Sequence, residues 1–258
     1  MLHQVKAYLN YLWHAKNEKE ITAPFVAELY TDVIKSVKAY YQFSELEALR
    51  SKLLKDEQVL AVTDFGAGSR VMKSNQRKIS EIAEHSLGSQ KECELLFKLV
   101  NHLKPDVMLE LGTSLGLNTI YQAIPQSFNT FYTFEGCPNI AEIAQRNFDH
   151  FKVKPELIIG NLDETLAETV SSLEKIDYAY FDANHRYEPT VNYFNICLKK
   201  AHEHTLFVFD DIHWSAGMEK AWEEIRTHER VTLSIDLFSV GLVFFRKDEE
   251  KTHFTLRF

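Results

Sequence analysis

The sequence predicts an α/β fold: a doubly wound sheet of about seven strands that ends in an antiparallel hairpin and is preceded by a helical cap. Three observations predict it. From Asp106 onward, short apolar runs alternate with longer amphipathic ones, the pattern of successive βα units. The last two apolar runs lie so close together that they must turn back on each other. Residues 1–57 hold one proline, Pro24, and no glycine, with leucines at helical spacing.

Taken in order, the helical cap shows its periodicity in Leu46, Leu49, Leu53 and Leu54. It is dense in aromatic residues, among them Tyr8, Tyr11, Trp13, Phe25, Tyr30 and Tyr40. A cap packed on the main domain is the plain reading. A lid over a substrate pocket is the other, or a dimerisation arm that would make the chain a homodimer. The domain boundary is expected at 89/90, with a helical cap over 1–89 and the main domain over 90–258. Strands are expected at 107–111, 130–135, 156–160, 177–182, 205–210, 232–238 and 241–246. Helices are expected near 117–124, 139–151, 163–175, 188–203 and 216–228. Phe194, Ile196 and Leu198 in the fourth helix, and Met218, Ala221, Trp222 and Ile225 in the fifth, are the sheet-facing residues. Strands separated by such helices join through right-handed crossovers into a parallel sheet. The final pair, separated by Ser239 and Val240 with Gly241 beside the turn, forms the hairpin.

Composition narrows the function. Of 258 residues, 45% are apolar and 26% charged, which suits a globular chain and excludes a disordered one. The net charge of −8 argues against nucleic acid as a partner, because a duplex needs a positive surface. Apolar runs reach only about four residues, as at Leu206–Phe209, so no bilayer span is expected. The N-terminus lacks the apolar core and cleavage site of a secretory signal. Cys93, Cys137 and Cys197 are odd in number and widely spaced, with no disulfide or zinc pattern, which suits a reducing cytoplasm.

Two glycine loops follow apolar runs: Asp64-Phe65-Gly66-Ala67-Gly68-Ser69 and Glu110-Leu111-Gly112-Thr113-Ser114-Leu115-Gly116. Glycine lets backbone approach a ligand closely. Nucleoside-binding α/β folds also place an acidic residue at the end of the next strand, roughly 20 residues on. After Glu110 that strand ends in Phe134-Glu135-Gly136; after Asp64 the equivalent region reads as helix. The second loop is therefore the cofactor loop and the first a turn entering the main domain.

These residues carry a resemblance. Glu110–Gly116 resembles motif I of the class I S-adenosylmethionine (SAM)-dependent methyltransferases, whose Rossmann-like sheet has five parallel βα units and a final antiparallel strand. Phe181-Asp182-Ala183-Asn184-His185-Arg186-Tyr187-Glu188 resembles the segment after the fourth strand in the methyltransferase domain 24 group, which is similar to catechol-type and macrocin-type O-methyltransferases. The resemblance covers residues 90–247. Ser114-Leu115 stands where many members carry a third glycine, and Ala183 where the group has glycine. The resemblance implies that Glu110, Gly112 and Gly116 form the methionine side of the SAM site, with Thr113 and Ser114 facing its carboxylate or amine. Glu135, followed by Gly136, would bind the ribose hydroxyls, and Asn161 and Leu162 would line the adenine. Asp182 would sit beside the sulfonium and the acceptor.

Asp182, Asp210 and Asp211 end consecutive strands, where ligands of such sheets bind. Converging carboxylates must take up a proton, find a cation or bind a hard metal, here Mg²⁺. His185 and His213 follow these aspartates and are candidates for the base, with Asp182 as the third catalytic residue. Trp214 could stack on an acceptor ring. The expected activity is methyl transfer from SAM to an oxygen of a small molecule, with Mg²⁺ as an assisting metal. An NAD-dependent oxidoreductase is the first alternative, since Glu135 would suit NAD ribose equally. A non-catalytic SAM-binding or scaffold protein is the second. No G-x-S-x-G, G-x-x-x-x-G-K-[ST] or H-E-x-x-H pattern supports a rival chemistry.

Overall fold

The computed structural model describes residues 2–63, 75–247 and 250–258. The glycine loop at 64–69 lies outside the described residues. In chain order, α1 (Leu2–His14) is followed by a 3-10 turn at Glu18–Glu20, then α2 (Pro24–Leu29), which continues as a π-helical turn over Tyr30–Ile34. Next come α3 (Gln42–Leu53), β1 (Val59–Ala61), β2 (Gln76–Lys78), α4 (Ile79–Ser86) and α5 (Gln90–Leu103). The alternating part runs β3 (Val107–Leu111), α6 (Leu117–Ala123), β4 (Thr130–Glu135), α7 (Pro138–Phe151), β5 (Glu156–Ile159), α8 (Leu162–Ser172), β6 (Ile176–Phe181), α9 (Tyr187–Leu198) and β7 (Ala201–Asp210). It ends with α10 (Ala216–Thr227), β8 (Leu233–Asp236), β9 (Val240–Phe244) and β10 (Thr252–Thr255).

The main sheet has eight strands in the order β10-β8-β9-β7-β6-β3-β4-β5, and β1 and β2 form a separate antiparallel pair. The strand count is one higher than the pattern predicts. The extra strand, β10, pairs in parallel with β8, from Thr252 opposite Leu233 to Thr255 opposite Asp236. The hairpin turn is also longer than predicted: Asp236 faces Gly241, leaving Leu237, Phe238 and Ser239 to turn the chain. The fourth helix stops at Leu198 rather than 203, and a turn from the Lys200 amide to the Cys197 carbonyl leads directly into β7.

Compact packing divides the chain at places other than 89/90: one unit is Val37–Thr165, the other Met1–Ser36 with Leu166–Phe258. In the Val37–Thr165 unit, β3, β4 and β5 are parallel neighbours, with Leu111 opposite Phe134 and Phe134 opposite Ile158. β3 and β4 are largely buried, as strands covered on both faces must be. α5 begins with a reciprocal cap: Ser89 Oγ accepts from the Glu92 amide, and Glu92 accepts from the Ser89 amide. Pro138 opens α7, where its missing N–H costs nothing. Phe43 packs on Phe97 edge-on at 4.9 Å and on Tyr121 at 5.6 Å, so α3 joins this core.

In the other unit, β6 and β7 are parallel, β9 runs antiparallel between β7 and β8, and Met218, Ala221, Trp222 and Ile225 are buried as the helical stripe predicts. Gly241 is required by Trp222, whose ring would lie 2.6 Å from any Cβ there. The tail is clasped to α1. Tyr11 donates to the Leu256 carbonyl at 2.7 Å, and the Lys16 amide donates to the Thr255 carbonyl while the Lys16 carbonyl accepts from the Arg257 amide. Among the described residues no helix is long and apolar enough to cross a membrane.

Candidate active site

In the Val37–Thr165 unit, the loop from Gly112 to Gly116 links β3 to α6 and rests on a buried polar floor. Glu110, fully buried, accepts hydrogen bonds from Gln122 Nε2 at 2.6 Å, from Thr133 Oγ1 at 2.6 Å and from Thr119 Oγ1. Thr113 is buried as well and its hydroxyl meets that of Thr133 at 2.6 Å. The structure therefore places the Glu110 and Thr113 side chains beneath the loop, differing from the ligand contacts expected of them. A buried carboxylate needs several donors, and these internal ones supply them.

Above the floor the backbone takes the left-handed turns that close approach to a ligand demands. Gly112 has φ +105° and Gly116 φ +82°, and a Cβ on Gly116 would meet the Phe148 ring at 2.6 Å. Ser114, at the place of the usual middle glycine, adopts φ +47°. Its amide donates to Glu135 Oε2 at 2.9 Å, and its hydroxyl pairs with that of Ser86 at 2.7 Å. Glu135 ends β4 and is half-buried; its Oε1 accepts from the Cys137 amide at 2.8 Å. Gly160 (φ +151°) ends the third strand edge, with its amide on the Glu135 carbonyl, and Asn161 accepts from the Asp163, Glu164 and Thr165 amides to start α8, leaving Leu162 half-buried beside it. Gly136 is half-buried between Glu135 and Cys137. The strand-end carboxylate, the glycine turn and a second turn at 160–162 form the arrangement that nucleoside-binding α/β sheets present at their strand ends.

The second cluster lies in the unit containing β6 and β7. His185 stands between two aspartates: Nε2 is 3.4 Å from Asp182 Oδ1, and Nδ1 is 3.9 Å from Asp211 Oδ2. Burial depresses the pKa of this half-buried ring, but the Asp182 contact and the charges of Asp182 and Asp211 outweigh it, so the pKa is raised. Asn184 and Asp211 are both left-handed, at φ +61° and +54°, which turns the chain sharply around the histidine. Asp210, the last residue of β7, is half-buried and paired with Val240.

Nothing in this arrangement supports the metal expected on Asp182, Asp210 and Asp211. Among the described residues no three His, Cys, Asp or Glu side chains converge as a metal site. The imidazole of His185 faces both Asp182 and Asp211.

His213 is separately occupied. Its Nδ1 is 3.0 Å from Glu219 Oε1 and its Nε2 2.8 Å from Asp236 Oδ2, while Phe238 stacks on the ring at 5.4 Å and 18°. Burial lowers its pKa, but Asp236 and then Glu219 reverse this and raise it. With both nitrogens engaged, His213 braces the hairpin against α10 and has no lone pair to offer. Sequence reasoning missed Asp236, although it ends a strand as Asp182 does. It also missed Gln122 and Thr119, which face Glu110 and carry no local signal.

A family model described as a methyltransferase domain, Methyltransf_24, matches residues 109–212. No curated protein matches the chain. Solved structures do. The O-methyltransferase of Bacillus cereus, in complex with SAH, superposes with a TM-score of 0.56 at 16% identity, covering 81% of this chain and 92% of its own. The SAH-bound methyltransferase PaMTH1 of Podospora anserina gives 0.55 at 13% identity, covering 82% and 99%. The O-methyltransferase TomG of Streptomyces achromogenes, involved in tomaymycin synthesis and in complex with SAM, gives 0.54 at 19%, covering 62% and 82%. The matched segment runs from the floor of the glycine loop through Glu135 and His185 to the residue after Asp211, so this stretch of the chain is similar to a methyltransferase domain, and the superpositions show a shared fold.

Proposed function

We propose that the protein methylates an oxygen of a small-molecule acceptor, with Glu135 binding the SAM ribose and His185 serving as the base. The observation that carries the base assignment is the placement of His185 between Asp182 and Asp211. SAM, when bound, supplies an activated methyl group on a sulfonium, so the protein needs alignment and a base rather than a nucleophile. Asp182 faces Nε2–H as its acceptor and fixes the tautomer, which leaves the Nδ1 lone pair for the proton that the acceptor hydroxyl releases. Asp211 then faces the imidazolium. The similar structures support oxygen as the target: two of the three are described as O-methyltransferases. The acidic net charge supports a small acceptor over nucleic acid.

Calorimetry with SAM, SAH and NAD separates this reading from an oxidoreductase; binding of NAD but not of SAH would overturn it. Turnover across phenols and sugars, with His185→Ala beside the wild type, separates it from a non-catalytic binder. Full activity in EDTA is expected, since no step here requires a metal.

A further inference from the structure

Within the Val37–Thr165 unit, the link between α4 and α5 lies against the loop from Gly112 to Gly116. Ser86, the last residue of α4, is half-buried, and its hydroxyl lies 2.7 Å from that of Ser114, an ordinary O–H···O length. Two residues on, a Cβ at Gly88 would sit 3.6 Å from Asn118 Oδ1, and Cys93 donates its thiol proton to the same oxygen at 3.0 Å. Asn118 stands in the first turn of α6, so the link touches both the glycine loop and the helix that leaves it. The link is held from behind as well, because Arg50 on α3 donates to the Gly88 carbonyl at 2.6 Å.

Ser114 is a residue that needs holding. At φ +47° its Cβ crowds the backbone, a conformation that glycine adopts freely and serine does not. That turn also decides where the Ser114 amide points. The amide donates to Glu135 Oε2 at 2.9 Å, while the Cys137 amide holds Oε1 at 2.8 Å. A Ser114 relaxed to negative φ would carry its amide away from Oε2 and leave the carboxylate fixed at one oxygen only by these two amides. The left-handed turn and the direction of the Glu135 carboxylate are therefore one geometric unit, and the Ser86 hydroxyl grips it by the Ser114 side chain.

We infer that Ser86 is a positioning residue for the cofactor loop: its hydroxyl clasps Ser114 in the left-handed turn and, through the Ser114 amide, sets the Glu135 carboxylate. Ser86 acts through Ser114 rather than on the ligand itself. The inference rests on the SAM reading for the identity of that ligand, but the clasp does not.

The test uses the full chain with Ser86→Ala, Ser86→Thr and Ser114→Gly, and reads SAH affinity by calorimetry and hydrogen exchange of the loop amides. In Ser86→Ala the Ser114 amide should exchange at least tenfold faster, and SAH should bind about fivefold more weakly, the change that one ordinary hydrogen bond gives. The urea midpoint should stay at the wild-type value, because alanine suits the last turn of a helix and the half-buried Ser114 hydroxyl can turn to water. Ser86→Thr keeps the hydroxyl and should hold both readouts within twofold of wild type. In a Ser114→Gly background the turn needs no clasp, so Ser86→Ala should change SAH affinity by less than twofold. Equal losses in the two backgrounds overturn the inference, since Ser86 would then act other than through Ser114. Unchanged exchange or unchanged SAH affinity in Ser86→Ala overturns it too, as does a urea midpoint that falls in step with the affinity. If the wild type binds neither SAM nor SAH, the SAM reading falls; faster Ser114 exchange in Ser86→Ala would still support the clasp, and unaltered exchange would overturn it.

Discussion

Replacing Glu110 with alanine should unfold the glycine loop from below rather than remove a ligand contact. The carboxylate accepts from three side chains in a fully buried site. Two of those donors have partial alternatives: Thr133 can turn to the Thr113 hydroxyl, and Gln122 Nε2 already reaches the Asn118 carbonyl at 3.1 Å. That leaves the Thr119 hydroxyl and one Gln122 N–H stranded, at about 1–3 kcal/mol each. The one lost methylene adds roughly 0.8 kcal/mol. The sum is about 3–7 kcal/mol, a large share of the stability of an ordinary domain, about 5–15 kcal/mol. Glu110→Gln keeps an acceptor for both threonines but sets an amide N–H against Gln122, so its cost should be about 1–2 kcal/mol. Urea denaturation followed by tyrosine fluorescence and circular dichroism reads both, with SAM calorimetry alongside. A wild-type midpoint for Glu110→Ala together with lost SAM affinity would refute the buried-floor account and return Glu110 to the ligand.

Gly116→Ala combines a left-handed φ, about 1–2 kcal/mol, with overpacking against Phe148, about 1–3 kcal/mol, so its urea midpoint should fall well below that of wild type; an unchanged midpoint would show that the loop yields. Since His185 must be neutral to accept a proton and its pKa is raised, kcat should climb with pH through a value above the ordinary histidine range near 6.5, and Asp182→Asn should move that limb to lower pH. A limb unmoved by Asp182→Asn would assign it to another group. The raised pKa of His213 stabilises the fold fully below the unfolded histidine value, and this stability is lost as pH rises through the folded value. Tm should therefore decline across that window in wild type and stay flat in His213→Gln; parallel profiles would mean that the ring is neutral between its two carboxylates.

What the sequence makes legible here is what short stretches of chain decide. The β3 and β4 runs, the glycine turn between Gly112 and Gly116, and Glu135 at the strand end follow from composition within a few residues of each. The stripe of Met218, Ala221, Trp222 and Ile225 does too, because one face of a helix has one periodicity. β10 is not legible: Thr252–Thr255 is short and mixed in polarity, and what orders the tail is a set of bonds to α1, such as Tyr11 to Leu256, about the whole chain away. The direction of Glu110 is hidden for a different reason. A strand covered on both faces shows no alternation, so nothing in Val107–Leu111 says whether its carboxylate meets the loop's ligand or the protein's own donors. Likewise the spacing of Asp182, Asp210 and Asp211 is compatible with a metal until the turn at Asn184 is known to bring His185 between them.

Backbone strain ties these two clusters to function more closely than residue type does. Of the non-glycine residues with positive φ, Lys104 and Lys152 terminate helices, where a left-handed residue satisfies the last carbonyls, and Gln126 closes the turn after α6. The remaining four are Ser114, Asn184, Asp211 and Phe238, and none of them ends a helix. Ser114 aims its amide at Glu135; Asn184 and Asp211 flank His185; Phe238 stacks on the His213 ring. Left-handed backbone at such residues costs about 1–2 kcal/mol each and would be relieved by glycine, yet glycine would remove the hydroxyl, carboxamide, carboxylate and ring that these turns present. At Ser114, Asn184 and Asp211 the strained turn places an amide or a side chain in one of the two clusters, at Phe238 it holds a ring against His213, and a turn serving only to reverse the chain would not need it.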